Sequence, residues 1–210
     1  HANYCNACHE CMSGDHNLCT TAQGTIIGRH GGFADKVRAN AASVVVLPEG
    51  VDAASAGPLF CGGITVFNPM VQFDVKPTDS VAVIGIGGLG HMAVQFLHAW
   101  GCKVTAFTSS EAKTKEALEV GADDTINSRD PAALAAAAGP LNWNVFPLLM
   151  GHLSVSGPPP GSPSTIAKML DFAKQHQIKP MVEMFDFKDI NAAIERVRSG
   201  QARYRVVLKR

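Results

Sequence analysis

VAVIGIGGLGH, residues 81–91, carries the pattern that decides the fold of this 210-residue chain. Its first six residues form an unbroken apolar run of strand length, the composition of a parallel strand covered on both faces. Gly85, Gly87 and Gly90 then fall in the spacing G-x-G-x-x-G. Residues 91–100 follow with Met92, Val94, Phe96, Leu97 and Trp100 on one broad apolar face, a helix closed by Gly101. A glycine turn in this position has a physical use. Gly85 permits the tight turn, Gly87 lets the backbone approach a diphosphate, and Gly90 lets helix and strand pack closely. Gly88 and Leu89 complete the turn, and the helix N-terminus adds N–H donors and a partial positive charge of about +0.5. The motif alone is weak. Between a buried strand and a helix it indicates a dinucleotide site, against the plainer reading of a glycine-rich turn.

Downstream, residues 104–107 read as a second strand, 111–120 as a second helix with Gly121 as its C-cap, and 125–127 as a third strand. Strand–helix–strand–helix–strand is the first half of a doubly wound α/β fold. A site for NAD usually places a carboxylate at the end of the second strand, where it accepts from the ribose 2′-hydroxyl. Here stand Thr108, Ser109, Ser110, Glu111, Ala112 and Lys113. Ser109, Ser110 and Lys113 offer hydroxyls and a cation to a 2′-phosphate, which favours NADP(H), with Glu111 expected to point away. The plainer reading makes one of the serines the N-cap of the following helix, and one residue can do both.

Beyond a helix at 130–138 the pattern fails. A second half should supply strands four and five near 140–145, yet only 153–156 offers a later strand, before Pro158-Pro159-Pro160. An amphipathic helix over 164–177 follows, with Ile166, Met169, Leu170 and Ala173 inward, then a helix at 190–197 and a final strand at 205–208. Upstream of the decisive stretch, 25–28, 33–37 and 44–47 read as short strands. Residues 53–63 suit a tightly packed helix, continued in helical spacing through 64–70.

Cys5, Cys8, Cys11 and Cys19 form the most specific local signal, with spacers of two, two and seven residues. Structural Zn2+ takes four thiolates tetrahedrally at about 2.3 Å and leaves no open position for substrate. Two-residue spacers turn successive sulfurs to one centre, and Gly14 allows the longer return to Cys19. Disulfides or a redox pair are the alternative. The rest of the chain has ordinary α/β composition without an export signal, which favours reduced thiols and metal, and a cytoplasmic location. His9 and His16 are surplus to a filled shell and are expected in solvent; Cys102 is expected in the core.

Composition excludes other classes. Lys and Arg number 18, as do Asp and Glu, and residues 1–24 contain no Lys or Arg at all. A zinc-ribbon nucleic-acid binder would need a basic face, so no nucleic-acid partner is expected. The longest apolar runs are far below the ~20 residues that span a bilayer, so no membrane partner is expected. His1 opens the sequence without an initiator Met, as a chain does that begins partway through a longer one.

Several stretches resemble the zinc-dependent medium-chain alcohol dehydrogenases, in the branch of cinnamyl alcohol dehydrogenases and broad-specificity NADP-dependent aldehyde reductases. They are CNACHECMSGDHNLC, GGFADKV, AGPLFCGGITVFNP, VAVIGIGGLGH, VTAFTSSEAK, GADDTINSRDP and ARYRVVLK, in family order through nearly the whole chain. The resemblance implies a Rossmann-type parallel sheet over 61–160, lacking strands four and five. It implies part of a GroES-like catalytic β domain over 1–60, with a zinc lobe at 5–19, and a return to that domain over 161–210. It also implies that Cys61 is the last ligand of a catalytic zinc, that Thr65 lies near the nicotinamide, and that Arg205 lies near the cofactor phosphates. On its residues alone, Cys61 reads as a small buried apolar group. The implied reaction transfers hydride between NADP(H) and an alcohol–aldehyde pair, with reduction of the aldehyde favoured and a homodimer joined through 153–156. The departures matter too. The family's other catalytic ligands would precede His1, in a segment of roughly 90 residues, about one small domain. A further ~30–40 residues, enough for strands four and five, are expected to be missing around 140–145. The 210-residue stretch by itself is therefore expected to be inactive. The rival reading is a non-catalytic module that binds zinc and a dinucleotide.

Overall fold

The computed structural model describes residues 3–29, 31–138 and 160–209, in two compact units, 1–68 with 159–210 and 69–158. The anticipated gap at 140–145 and the strand at 153–156 lie outside the described residues.

The first unit opens with a four-residue helix, α1 (His9–Met12), inside the cysteine lobe. The described residues of 25–47 form no strand, against the expectation of three; the nearest regular pairing among the described residues is a single antiparallel bridge between Asn3 and Gln23. The reason is visible in the side chains. Ile26, Ile27, Phe33, Val37, Val44 and Val46 are all more than half exposed. β-branched residues favour a strand only where a neighbouring strand takes up the ladder and the side-chain face, and the described residues supply none. The anticipated helix over 53–70 is broken into three pieces. Asp52 caps α2 (Ala53–Ala56) by accepting from the N–H groups of Ala54 and Ser55 at 3.2 and 3.0 Å. Pro58 then enters a 3-10 turn (Gly57–Phe60), and Cys61 leaves helical geometry at φ −121°, ψ −77°. The chain resumes as α3 (Gly62–Gln72).

The second unit holds the strand–helix alternation: β1 (Ser80–Ile84), α4 (Gly90–Trp100), β2 (Lys103–Thr108), α5 (Glu111–Glu119), β3 (Asp124–Asn127) and α6 (Pro131–Ala138). The sheet is parallel with order β1-β2-β3, and β2 is its centre. Val104 and Ala106 are fully buried there, as are Met92, Val94 and Phe96 from α4. Burial of each of the larger of these side chains contributes about 1.5–3 kcal/mol. Gly101 closes α4 in the left-handed conformation at φ +103°, where a side chain would be strained. Trp100 donates from Nε1 to the Val75 carbonyl at 2.8 Å. Buried Cys102 donates from Sγ to the Lys76 carbonyl at 3.3 Å. One expectation fails: β1 is not covered on both faces. Val83 alone of its five residues is buried, and Ile84 is 77% exposed. Among the described residues β1 is an edge strand, so its apolar composition exceeds the cover available to it.

The first unit then resumes with α7 (Pro163–Gln175), β4 (Val182–Asp186), α8 (Ile190–Arg198) and β5 (Arg205–Lys209). Ser162 caps α7 by accepting from the N–H of Thr165. Met169 and Leu170 of α7 are fully buried with Leu59 and Ile64, and Phe172 lies 5.7 Å from Phe67, ring centre to ring centre. Gly63 permits this packing: a Cβ there would lie 3.1 Å from Leu59 and 3.3 Å from the Met169 sulfur. β4 was not anticipated. It pairs in parallel with β5, Val182 opposite Arg205 through Asp186 opposite Lys209. Glu183 ties it down, accepting from Arg196 Nε at 2.8 Å and Nη2 at 3.1 Å, and from the Arg203 N–H at 2.8 Å.

Candidate metal lobe and cofactor cradle

Tyr4, Cys11 and Cys19 are buried together, with Cys8 and Ala22 packed against them. α1 presents Cys11, and the chain returns through Gly14 at φ +92° to bring back Cys19. The sulfurs of Cys5, Cys8, Cys11 and Cys19 all lie within 4.8 Å of one another. The N–H groups of Ala7 and Cys8 donate to the Cys5 sulfur at 3.4 and 3.2 Å, and the N–H of Cys5 to the Cys19 sulfur at 3.5 Å. These donors act on charge. Backbone hydrogen bonds, from Ala7 first, bring the Cys5 thiol down to about 6. The Cys5 N–H likewise lowers Cys19. Burial raises Cys11. Four thiolates this close repel unless a cation neutralises them, and a tetrahedral thiophilic ion does so. The set fits zinc, and none of the six cysteines is in a disulfide. His9 is in solvent, as expected. His16 is not wholly so: Nδ1 lies 3.2 Å from the Gly14 carbonyl, and its ring stands edge-on to Tyr4 at 5.5 Å.

The glycine turn sits between β1 and α4. Gly85 is left-handed at φ +87°. Gly90 is buried, and a Cβ on it would lie 2.1 Å from the Gly85 carbonyl oxygen, so no other residue fits. Gly87 is the opposite case, with nothing within 4 Å of the Cβ position. The turn is thus closed behind, at Gly90, and open in front, at Gly87, as a ligand approaching the backbone at a helix N-terminus requires. Gly88 is half-buried and Leu89 43% exposed beside it. Behind the turn His91, the first residue after the motif, is completely buried. In the sequence it reads as an ordinary helix residue. The available signal was an imidazole four positions after Gly87 in an otherwise apolar segment.

At the end of β2, Thr108 is buried and its hydroxyl lies 2.8 Å from that of Thr114. Ser110 is the N-cap of α5, its Oγ accepting from the Lys113 N–H at 3.4 Å. Ser109 and Lys113 are half-buried and Glu111 is exposed. No carboxylate occupies the last position of β2 or the two residues after it.

Cys61 and Thr65 are held together in the first unit. The Cys61 carbonyl accepts from both the N–H of Thr65, at 3.0 Å, and its hydroxyl, at 2.8 Å. Cys61 is exposed, not the small buried group its residue type alone suggests. Among the described residues it belongs to no group of three or more metal-ligating side chains; Cys5, Cys8, Cys11 and Cys19 form the one such group. Arg205 opens β5 and is half-buried. A hollow of about 250 Å³ in this unit, lined in part by Asp52, Leu59, Lys174 and Ile178, includes none of these site residues.

Residues 88–141 match the family model described as zinc-binding dehydrogenase. The chain is 55% identical to aldehyde reductase AdhA of Synechocystis, across 99% of this chain and 73% of that protein. That alignment runs over 244 positions against 210 residues here, so the relative has at least 34 positions where this chain has none. Among solved structures, a cinnamyl alcohol dehydrogenase of Sorghum bicolor superposes with a TM-score of 0.83 at 30% identity, over 99% of this chain and 72% of that one. A cinnamyl alcohol dehydrogenase from Helicobacter pylori, complexed with NADP(H), gives 0.83 at 25% identity, over 99% and 72%.

Proposed function

This chain belongs to the zinc-dependent medium-chain alcohol dehydrogenase family, an oxidoreductase family of alcohols and aldehydes, and we propose that its dinucleotide is NADP(H) and its favoured direction the reduction of an aldehyde. The observation that carries the proposal is the pairing of an open glycine turn with a carboxylate-free end of β2. When bound, the reduced nicotinamide would supply the hydride.

The chain's own residues bind and orient. The turn at 85–90 receives the diphosphate on backbone N–H groups at the start of α4. The Ser109 hydroxyl and the Lys113 ammonium take the 2′-phosphate, where a carboxylate would repel it. Ser110 is committed to capping α5 and contributes less. Arg205 adds a cation toward the phosphates, by family resemblance. Cys5, Cys8, Cys11 and Cys19 hold a structural zinc, which shapes their lobe and takes no substrate. By resemblance, Cys61 is the catalytic-metal ligand and Thr65 lies near the nicotinamide. The described residues bring no second metal ligand to Cys61. Pairing of two copies and a cytoplasmic location complete the proposal, the latter from six cysteines outside any disulfide. No helix among the described residues is long and apolar enough to cross a membrane.

Fluorescence titration with NADPH and NADH tests the cofactor assignment. NADPH is expected to bind at least about tenfold more tightly, a difference of about 1.4 kcal/mol. Equal affinities, or a preference for NADH, would refute it.

A further inference from the structure

We propose that His91 is a positioning residue of the cofactor cradle: its imidazole pins the Gly87 carbonyl and so holds that oxygen inward, against the buried start of α4. The inference rests on the dinucleotide reading given above.

The Gly87 carbonyl faces two groups of the same residue. The backbone N–H of His91 donates to it at 3.1 Å, and His91 Nδ1 lies 2.9 Å from it. A carbonyl only accepts, so Nδ1 carries the proton and donates. Both lone pairs of the oxygen are thereby used on the inner side of the turn. The peptide joining Gly87 to Gly88 is planar and trans, so its N–H points opposite to its carbonyl. Fixing the Gly87 oxygen toward His91 therefore fixes the plane of this peptide.

Such fixing is needed here. Adjacent glycines have little conformational preference of their own, and a flip of this one peptide would turn the Gly87 carbonyl oxygen outward, where it would repel a diphosphate. Burial makes the imidazole an effective latch, since it is completely excluded from solvent and water does not compete for the bond.

Three measurements test this. On the unsubstituted chain, 15N shifts of the His91 ring are expected to show the proton on Nδ1; a proton on Nε2 alone overturns the proposal. His91→Leu keeps bulk and removes the donor, while His91→Asn restores an N–H donor at the equivalent position on Cγ. Affinity for NADPH is expected to fall about tenfold in His91→Leu, the scale of one lost buried hydrogen bond, and to return to within about threefold of the original in His91→Asn. Affinity for adenosine 2′-monophosphate, which has no diphosphate, is expected to stay within about twofold in both. Equal losses for the two ligands, or no recovery in His91→Asn, would mean a merely structural role and overturn the proposal. Should His91→Leu not fold, a folded His91→Asn with a tenfold loss overturns it equally. Failure of the unsubstituted chain to bind NADPH removes the cofactor reading and this inference together. Binding that survives His91→Leu unchanged removes the inference alone.

Discussion

Gly90 and Gly87 stand three residues apart in one motif, and alanine at each should fail in a different way. At Gly90 the added methyl would lie 2.1 Å from the Gly85 carbonyl oxygen and 3.0 Å from its carbon. An ordinary C···O contact is about 3.3 Å, so the start of α4 must move from the end of β1 by roughly 1 Å. Overpacking of this kind costs about 1–3 kcal/mol. The better helix propensity of alanine offsets only a fraction of it, because Gly90 is the first helical residue. For a unit of this size, thermal unfolding should fall by roughly 4–20 °C. At Gly87 the methyl meets nothing within 4 Å, and the backbone is not left-handed. Alanine there should leave the melting temperature unchanged or raise it slightly, since removing a glycine stabilises by about 0.4–1 kcal/mol through the unfolded chain. Its methyl nevertheless fills the space in front of the turn, and NADPH affinity should fall by at least about tenfold. The assay is a pair of melting curves and a pair of NADPH titrations on Gly90→Ala and Gly87→Ala. A Gly90→Ala chain that melts with the original refutes the close-packing argument; a Gly87→Ala chain that binds NADPH normally refutes the cradle.

Cys11→Ser should abolish stoichiometric zinc, read by atomic absorption, and open residues 5–23 to limited proteolysis; full zinc retention would rule out the four-thiolate assignment. Lys113→Glu should weaken NADPH binding by about tenfold or more while leaving NADH within about threefold, because a second negative charge then faces the 2′-phosphate; a parallel loss for both would show that Lys113 does not read that phosphate. The hydrogen bonds of Arg196, with help from the Arg203 N–H, hold the Glu183 carboxyl below its ordinary value of 4.5. A lowered folded value means the stabilisation is complete above the ordinary value and is lost as the pH falls through the folded one. Glu183→Gln should therefore melt lower than the original near pH 7, and the two melting curves should converge as the pH falls below about 4.5; a gap of constant size from pH 7 to pH 3 would contradict this.

What the sequence made legible is what short-range contacts decide. Gly101 ends α4 and Ser110 begins α5 through hydrogen bonds to backbone groups within five residues. The four thiols meet because their spacers are short enough to leave the chain little choice. The failures fall where the deciding partner is distant in sequence. Residues 25–47 have the composition of strands, but composition supplies only half of a ladder, and Ile26, Ile27, Phe33, Val37, Val44 and Val46 stay in solvent. β4 is hidden in the sequence for the converse reason. Glu183 and Asp186 interrupt its apolar character, and the strand is held through Arg196, thirteen residues on, and through pairing with β5.

Cys61 and His91, each in its own unit, show the same division. Nothing within a few residues of Cys61 distinguishes it from a packing cysteine, and its role rests on ligands that the described residues do not bring to it. Family likeness was needed to single it out. His91 is the reverse, because its partner is Gly87, one helical turn back. A polar residue in an apolar helix must satisfy its hydrogen-bonding groups, and here the partner is local. A glycine turn is shapeless until something fixes its peptides. A complete reading of the motif therefore includes the residue that does the fixing, and in this chain that residue lies immediately after the last glycine.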